Sequence, residues 1–414
     1  MVQKEIIYHT MGLWRVIILS VCTGFGWLLG SGAAQPGSGA IPNTINPIAL
    51  GQKWASKVPL ASVSIDLTEI KSEKSTFEFR TFDPEGLVFY GDTQKGTNWF
   101  ILGLREGIPE MQFTRGDSVS YNWGGPKLND GKWHKLEVES EGRFVKLWVD
   151  GSQALVGGLD SVTTVHQNYL EGPLRLSLGA MLMEEEKLFH PLVLAMDGCI
   201  TKGNWLKTTK LWQKEPDLDP KFCMDDIKSG SYFSGQGLVV FNTSDTHSLP
   251  VLSLPAHLTS KGDIIVEIEG ELSIKGLTGS LVNIQTHDRE TVVTIISKNE
   301  ELLINLGAEV HTLSLDSHVE TLALIFTKDK ILVECGLKNV HLDLREPQDW
   351  QSQWKNGLII TFGGVPDVSY RQGSDYLLGC LRRIKVQDQE VDLDRALYKD
   401  SSISSHSCPY LNAQ

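Results

Sequence analysis

The chain is 414 residues long, 41% hydrophobic, and carries a formal net charge of −13. That length exceeds what one ordinary core needs and suits two domains of about 150–200 residues each, and the apolar content excludes wholesale disorder. The acidic balance argues against nucleic acid or heparin as the main partner, because both require a dominant basic surface.

Lys4 and Arg15 precede an apolar run over 16–29, which the small residues Gly30-Ser31-Gly32-Ala33-Ala34 follow. A polar head, a short apolar core and a small-x-small site predict a cleavable signal peptide over 1–34. The competing reading is a membrane anchor. Against it, the run is shorter than the ~20 residues a bilayer needs, and no basic stop-transfer cluster follows. No later stretch is apolar for long enough to span, so the mature protein is expected outside the cell. Residues 35–56 read as an irregular arm.

From there the pattern is β. Val63, Ile65 and Leu67 alternate with Ser62, Ser64 and Asp66, which predicts a half-buried strand. Phe77, Phe79 and Thr81 repeat the alternation, and 87–90 predicts a short strand ended by Gly91-Asp92. The run Asn98-Trp99-Phe100-Ile101-Leu102 predicts a core strand whose inward face could also hold an apolar ligand. Leu136-Glu137-Val138 and Val145-Lys146-Leu147-Trp148-Val149 flank Ser140-Glu141-Gly142-Arg143 and predict a hairpin. Many short strands with frequent turns indicate a sandwich.

The second half repeats the plan. Leu322-Ala323-Leu324-Ile325-Phe326 and Ile331-Leu332-Val333 flank Thr327-Lys328-Asp329-Lys330, a second hairpin. Leu174-Arg175-Leu176-Ser177-Leu178-Gly179 before Asp197-Gly198-Cys199 is matched by Leu358-Ile359-Ile360-Thr361-Phe362-Gly363 before Leu378-Gly379-Cys380. Cys199 and Cys380 lie 181 residues apart, and the two hairpins about 185, so a tandem duplication explains both. The domains are expected at 57–223 and 224–409, with a connector around 207–228.

Of six cysteines, Cys22 would leave with the signal, so one of the remaining five is unpaired. Separations of 24 and 28 residues predict Cys199–Cys223 and Cys380–Cys408. Each bridge closes a C-terminal loop onto its own sandwich, which stabilises by roughly 3–4 kcal/mol in the chain-entropy model. Cys335 has no counterpart in the first repeat and is expected to be the unpaired thiol, either buried and inert or in an intermolecular bridge.

No nucleophile elbow, H-E-x-x-H, C-x-x-C, P-loop or dinucleotide glycine pattern occurs, so no enzyme is expected. Asp83-Pro84-Glu85-Gly86 reads as a turn between strands, or as two hard-oxygen ligands for calcium. Asn242-Thr243-Ser244 is an N-glycosylation sequon and is expected to be used in a secreted chain. Arg115-Gly116-Asp117 matches an integrin tripeptide, but such a match arises by chance in roughly one sequence of this length in twenty, so a hairpin tip is the simpler reading.

The stretch from Phe77 through Asp83-Pro84-Glu85-Gly86 to Thr93 closely resembles the sex hormone-binding globulin family. So do Trp99-Phe100-Ile101-Leu102-Gly103-Leu104-Arg105, Asp130-Gly131-Lys132-Trp133-His134 and Met196-Asp197-Gly198-Cys199. The resemblance runs from about residue 61 to 409, and the cysteine pairs have the family's spacing. Protein S and its relatives share the tandem laminin-G pair, but they carry upstream modules for which only about 25 residues are available here between the signal and the first strand.

The resemblance implies an all-β chain of two tandem laminin-G-like jelly-roll sandwiches, the first holding a sex steroid between its sheets. It implies that Ser75 bonds the steroid's ring-A oxygen and that Phe100, Val138 and Leu206 line the pocket. Asn98 stands where the family has an aspartate that bonds the far hydroxyl, Arg115 where it has an asparagine, and Ser140 where it has a methionine. It further implies calcium on Asp83, Glu85 and the Ala195 carbonyl, a flexible lid over 159–172, and a homodimer formed through first-domain strands. The family's zinc site does not carry over, since its positions hold Gly116, Glu171 and Asn98. The expected function is a secreted plasma carrier of androgens and oestrogens. The alternative is a laminin-G adhesion or receptor-ligand module without a steroid.

Overall fold

Period-two alternation accounts for the first strand. In Ala61–Ile65 the apolar Ala61, Val63 and Ile65 are buried while Ser64 faces out. The computed structural model describes residues 47–52, 59–72, 74–93, 96–115, 118–141, 144–158, 173–201, 203–207, 210–214, 223–245, 263–272, 277–316, 318–367, 369 and 372–410. The expected signal peptide over 1–34, the lid over 159–172, and Gly116 and Asp117 lie outside the described residues.

The chain forms two compact units, Met1–Asp225 and Asp226–Gln414. In the first, one sheet has seven antiparallel strands in the spatial order Gln213–Lys214, Ala61–Ile65, Leu174–Leu178, Gly86–Thr93, Asn98–Arg105, Ile108–Arg115, Ser118–Trp123. The facing sheet has six, in the order Ile48–Ala49, Gly198–Ile200, Lys74–Thr81, His134–Glu141, Phe144–Val149, Ser152–Gly158.

The second unit repeats both orders. Its seven strands run Tyr398–Lys399, Val239–Asn242, Ile359–Phe362, Gly279–Gln285, Thr291–Lys298, Glu301–Leu306, Glu309–Ser314. Its six run Gln389–Glu390, Arg383–Val386, Ile264–Glu269, Thr321–Phe326, Lys330–Cys335, Lys338–Asp343. The protein is thus all-β, two tandem jelly-roll sandwiches, and Trp350–Asn356 is the one α-helix among the described residues.

Three details differ from the sequence expectation. The strand expected to end at Gly91 runs on to Thr93, and every residue of Gly86–Thr93 is buried. Gly91 belongs inside it because an added Cβ would meet Leu176 at 2.9 Å. The hairpin strands extend to Glu141 and from Phe144, so the first takes in Ser140 and Glu141, which the sequence placed in the turn. Part of the arm is ordered: Ile48 pairs with Ile200, Ala49 with Cys199, and Leu50 is buried in the core. An apolar anchor at Leu50 is enough to draw this short segment onto the sheet edge.

Disulfides join Cys199 to Cys223 and Cys380 to Cys408, and Cys335 is a buried free thiol. Burial pushes the Cys335 thiol up to about 11, so it stays protonated and unreactive at neutral pH.

The Asp130-Gly131-Lys132-Trp133-His134 segment owes its composition to a tight turn. Gly131 has φ +77°, and a Cβ there would lie 2.2 Å from the Phe82 ring. The Asp130 carboxylate accepts from the Lys132 N–H at 2.9 Å. His134 lies between two carboxylates, Nδ1 at 2.8 Å from Asp150 and Nε2 at 3.0 Å from Asp130. Burial alone would lower the His134 pKa, but the hydrogen bonds to Asp150 and Asp130 outweigh it, and the value is raised above the ordinary 6.5. A raised folded-state pKa stabilises the protein fully below the unfolded value, and that stability is lost as pH rises through the folded value. Urea midpoints are therefore expected to fall as pH rises from the ordinary histidine value through the raised folded-state one, with His134→Gln removing that component. An identical pH profile in the parent and the variant would contradict this.

Candidate ligand-binding site

The inner faces of the first unit's two sheets supply the residues singled out from the sequence. Ser75 is the second residue of Lys74–Thr81 and stands opposite Val138. Because side chains alternate, Ser75, Phe77 and Phe79 share one face, and Leu136, Val138 and Ser140 share the adjoining one. All six are buried, with Ser75 5% exposed and Ser140 3%. From the other sheet, Asn98 and Phe100 lie two apart on Asn98–Arg105 and are buried as well.

Phe100, Val138 and Leu206 belong to a single apolar cluster with Phe77, Phe89 and Phe113. Leu206 is fully buried although its φ is +54°, a left-handed conformation that a leucine adopts at a penalty of roughly 1–2 kcal/mol. Its carbonyl accepts from the Lys71 N–H at 3.1 Å, and Asn204 Oδ1 accepts from the Lys207 N–H at 3.2 Å, which hold the turn.

An aromatic spine runs through this core. Trp212 meets Trp205 at 5.4 Å, and Trp205 stacks on Phe77 at 4.8 Å with an 11° tilt. Phe89 lies 5.4 Å from both Trp205 and Phe100, and Phe100 lies 6.1 Å from Phe113. The rings of Phe89, Phe113, Trp205 and Trp212 were not among the residues picked from the sequence. Trp205 sits next to Leu206 and Phe89 lies in an apolar run, so aromatic type at inward positions was the available signal.

Polar groups in this core are few. Asn98 Nδ2 donates to Thr93 Oγ1 at 3.4 Å across the strand pair. No hydrogen-bond partner for the Ser75 hydroxyl is found among the described residues, and the Ser140 hydroxyl is buried without one. A buried hydroxyl left unpaired costs about 1–3 kcal/mol, so that of Ser140, on the same inner surface as Ser75, marks a place where a ligand can donate or accept. Arg115 closes the strand Ile108–Arg115 beside Ser118.

The residues implied for calcium surround Gly86. Asp83 is 1% exposed, and its two oxygens accept from the N–H groups of Glu85 at 3.0 Å and Asp197 at 2.8 Å. Glu85 Oε1 lies 3.4 Å from the Val193 N–H and 3.6 Å from Arg105. The Ala195 carbonyl oxygen would sit 2.4 Å from a Cβ on Gly86, so only glycine lets the two backbones approach this closely. Two carboxylates and one carbonyl are hard-oxygen donors of the kind that calcium takes.

The laminin G domain family matches residues 79–209. The chain also superposes on domains LG4-5 of the mouse laminin alpha1 chain with a TM-score of 0.56, at 19% identity, covering 95% of this chain and 97% of that one. Fold and family match together define a tandem laminin-G protein. Over 356 residues it is 31% identical to the sex hormone-binding globulin of Rattus norvegicus, and over 358 residues 30% identical to that of Phodopus sungorus. Each of these matches covers 85% of this chain and 84% of the relative. The chain belongs to the sex hormone-binding globulin family.

Proposed function

We propose that this protein is a secreted carrier that binds a sex steroid between the two sheets of its first unit, expected over 57–223. The observation that carries the reading is the Ser140 hydroxyl, buried without a partner, with the buried Ser75 on the neighbouring strand, beside an aromatic, otherwise apolar core. A steroid skeleton gains from burial at ~25 cal/mol per Å² of apolar surface, and a ring-A oxygen would satisfy Ser75. Phe100, Val138 and Leu206 would contact the skeleton. Asn98 would meet the far hydroxyl as a neutral donor and acceptor, and Ser140 adds a polar contact where the family has a methionine. A disulfide in each unit fits an oxidising, extracellular setting, and among the described residues no helix is long and apolar enough to cross a membrane.

Tritiated testosterone or oestradiol is expected to bind the full chain at one site, and Ser75→Ala to weaken it about 5–30-fold. Absence of saturable binding at micromolar steroid would overturn the carrier reading.

The same reading assigns a structural calcium to Asp83, Glu85 and Ala195, tying the turn before Gly86 to the segment that covers the sheet. When bound, the ion supplies fixed positive charge there, and the residues themselves do no chemistry on the ligand. Millimolar calcium is expected to raise the thermal midpoint by about 2–4 °C per kcal/mol of binding linkage, with chelation reversing it and Glu85→Gln removing it. An unchanged midpoint with and without chelator would count against the site.

Two further assignments rest on exposed features. The strand Ser118–Trp123 ends its sheet and shows Val119, Tyr121 and Trp123 to solvent, which suits pairing with a second copy. Asn242 ends the strand Val239–Asn242, and its Oδ1 accepts from the Ser244 N–H at 3.0 Å and hydroxyl at 2.9 Å, a turn that suits a glycan. Sedimentation velocity and the mass lost on glycosidase treatment check them: a monomer, or an unchanged mass, would remove the respective assignment.

A further inference from the structure

The second unit has a site of its own. A half-open cavity of about 500 Å³ lies at one end of this sandwich. Its rim comes from the turn after Gly279–Gln285, the turn after Glu301–Leu306, and the segment leading from Lys338–Asp343 into the helix Trp350–Asn356. Because the two units share strand orders, this is the end that carries Asn98 and Arg115 in the first unit. Thr291, opposite Gln285, takes the position of Asn98 opposite Thr93, and Leu306, opposite Glu309, that of Arg115 opposite Ser118.

The chemistry of the wall is different. Four carboxylates, Asp288, Glu290, Glu309 and Asp343, line the cavity against one guanidinium, Arg345. Asp288 is met by His287 at 3.1 Å and Glu309 by His311 at 3.9 Å, whereas Glu290 and Asp343 make no ion pair among the described residues. Between the acids lie Val292, Leu306, Leu344 and Trp350. Trp350 is buried, packs edge-on against Phe326 at 5.2 Å and donates from Nε1 to the Thr327 carbonyl at 2.7 Å. Its ring therefore forms a fixed apolar part of the cavity wall. Gln353, also in the wall, has a carboxamide oxygen with no hydrogen-bond partner, an acceptor available to an N–H donor.

We propose that this cavity binds a small organic cation, an ammonium group joined to an apolar aromatic body, with the ammonium held by Glu309 and Asp343 and the body against Leu306 and Trp350. Excess negative charge around an apolar floor selects for that combination and rejects an anion of the same shape. The inference stands on the second unit alone and does not depend on a steroid in the first.

Three probes that share a body but differ in charge test it on the full chain at low salt: 2-(1-naphthyl)ethylamine, 2-(1-naphthyl)ethanol and 1-naphthylacetate, titrated by calorimetry. The amine is expected to bind about tenfold more tightly than the alcohol, with no heat from the carboxylate. In Glu309→Gln/Asp343→Asn the amine is expected to fall to the level of the alcohol; both residues are exposed, so folding should be unaffected, and circular dichroism checks this. Equal binding of amine and alcohol, retention of the preference in the double variant, or no binding of the amine at millimolar concentration would each overturn the proposal. Steroid binding measured on the same double variant separates the two readings, since it should be unchanged.

Discussion

Strands Gly86–Thr93 and Asn98–Arg105 are buried on both faces, and the polar groups this traps must be paired inside the protein. On the outer face Leu87, Tyr90, Trp99 and Ile101 lie under Met181 and Leu192, with Phe189 stacked 5.2 Å from Trp99. Asp92 is satisfied by Arg175 Nε at 2.7 Å and by the Tyr90 hydroxyl at 2.7 Å. Burial, and then the Asp92 charge, push the Tyr90 phenol well above its ordinary value, so it remains a donor. Gln112, with no exposed surface, donates to the His190 carbonyl at 2.8 Å and accepts from the Phe189 and His190 N–H groups at 3.0 and 3.2 Å. One glutamine thereby fastens the covering segment to the sheet. A desolvated side chain that makes all its hydrogen bonds specifies one arrangement, because no other would satisfy it.

That fastening bears directly on the ligand site. With its outer face fixed, the seven-stranded sheet presents Asn98 and Phe100 from a rigid layer toward Ser75 and Val138 on the other sheet. The residues proposed for calcium lie where the covering segment returns to the strands, with the Ala195 carbonyl close against Gly86. The aromatic spine from Trp212 to Phe113 packs the inner faces with few polar atoms, so the unpaired Ser140 hydroxyl stands out against it. On the outer face the buried polar groups Asp92 and Gln112 are paired, whereas on the inner face the Ser140 hydroxyl is not.

Duplication preserved strand order and altered the ends. Among the described residues of the second unit the ring contacts are isolated pairs, Phe241 with Phe362 and Phe326 with Trp350, rather than a continuous spine. A helix capped by Asp349, whose carboxylate accepts from the Ser352 N–H, lines the cavity at one end. The edge strand Tyr398–Lys399 carries a buried cation: Lys399 Nζ lies 2.7 Å from Asp394 Oδ1 and from Ser405 Oγ. The lysine charge works against burial of Asp394 and holds its carboxyl well below the usual range. Pairing makes burial of both charges tolerable, and removal of either partner alone would strand the other.

Much of this was legible in the residue pattern. Alternation at 61–65 and 77–81, the two hairpins and the matched cysteine spacings specify β-sandwiches used twice, because period two and covalent spacing are local properties of a chain. Ser75, Phe100 and Val138 were legible by resemblance, and their inward positions follow from strand parity. The extension of Gly86–Thr93 was not, since a strand covered on both sides loses the alternation that reveals strands, and the covering residues lie about 90 positions away. Nor could composition tell that the Ser140 hydroxyl lacks a partner, that Leu206 is held at positive φ, or that Trp350 lines a cavity in the second unit. The sequence by itself determined the number of sandwiches, their disulfides and the polarity of each face. Which buried hydroxyl remains unpaired, and which end of a sandwich stays open, was decided by tertiary structure, because satisfaction and closure depend on groups distant in the chain meeting across the two sheets.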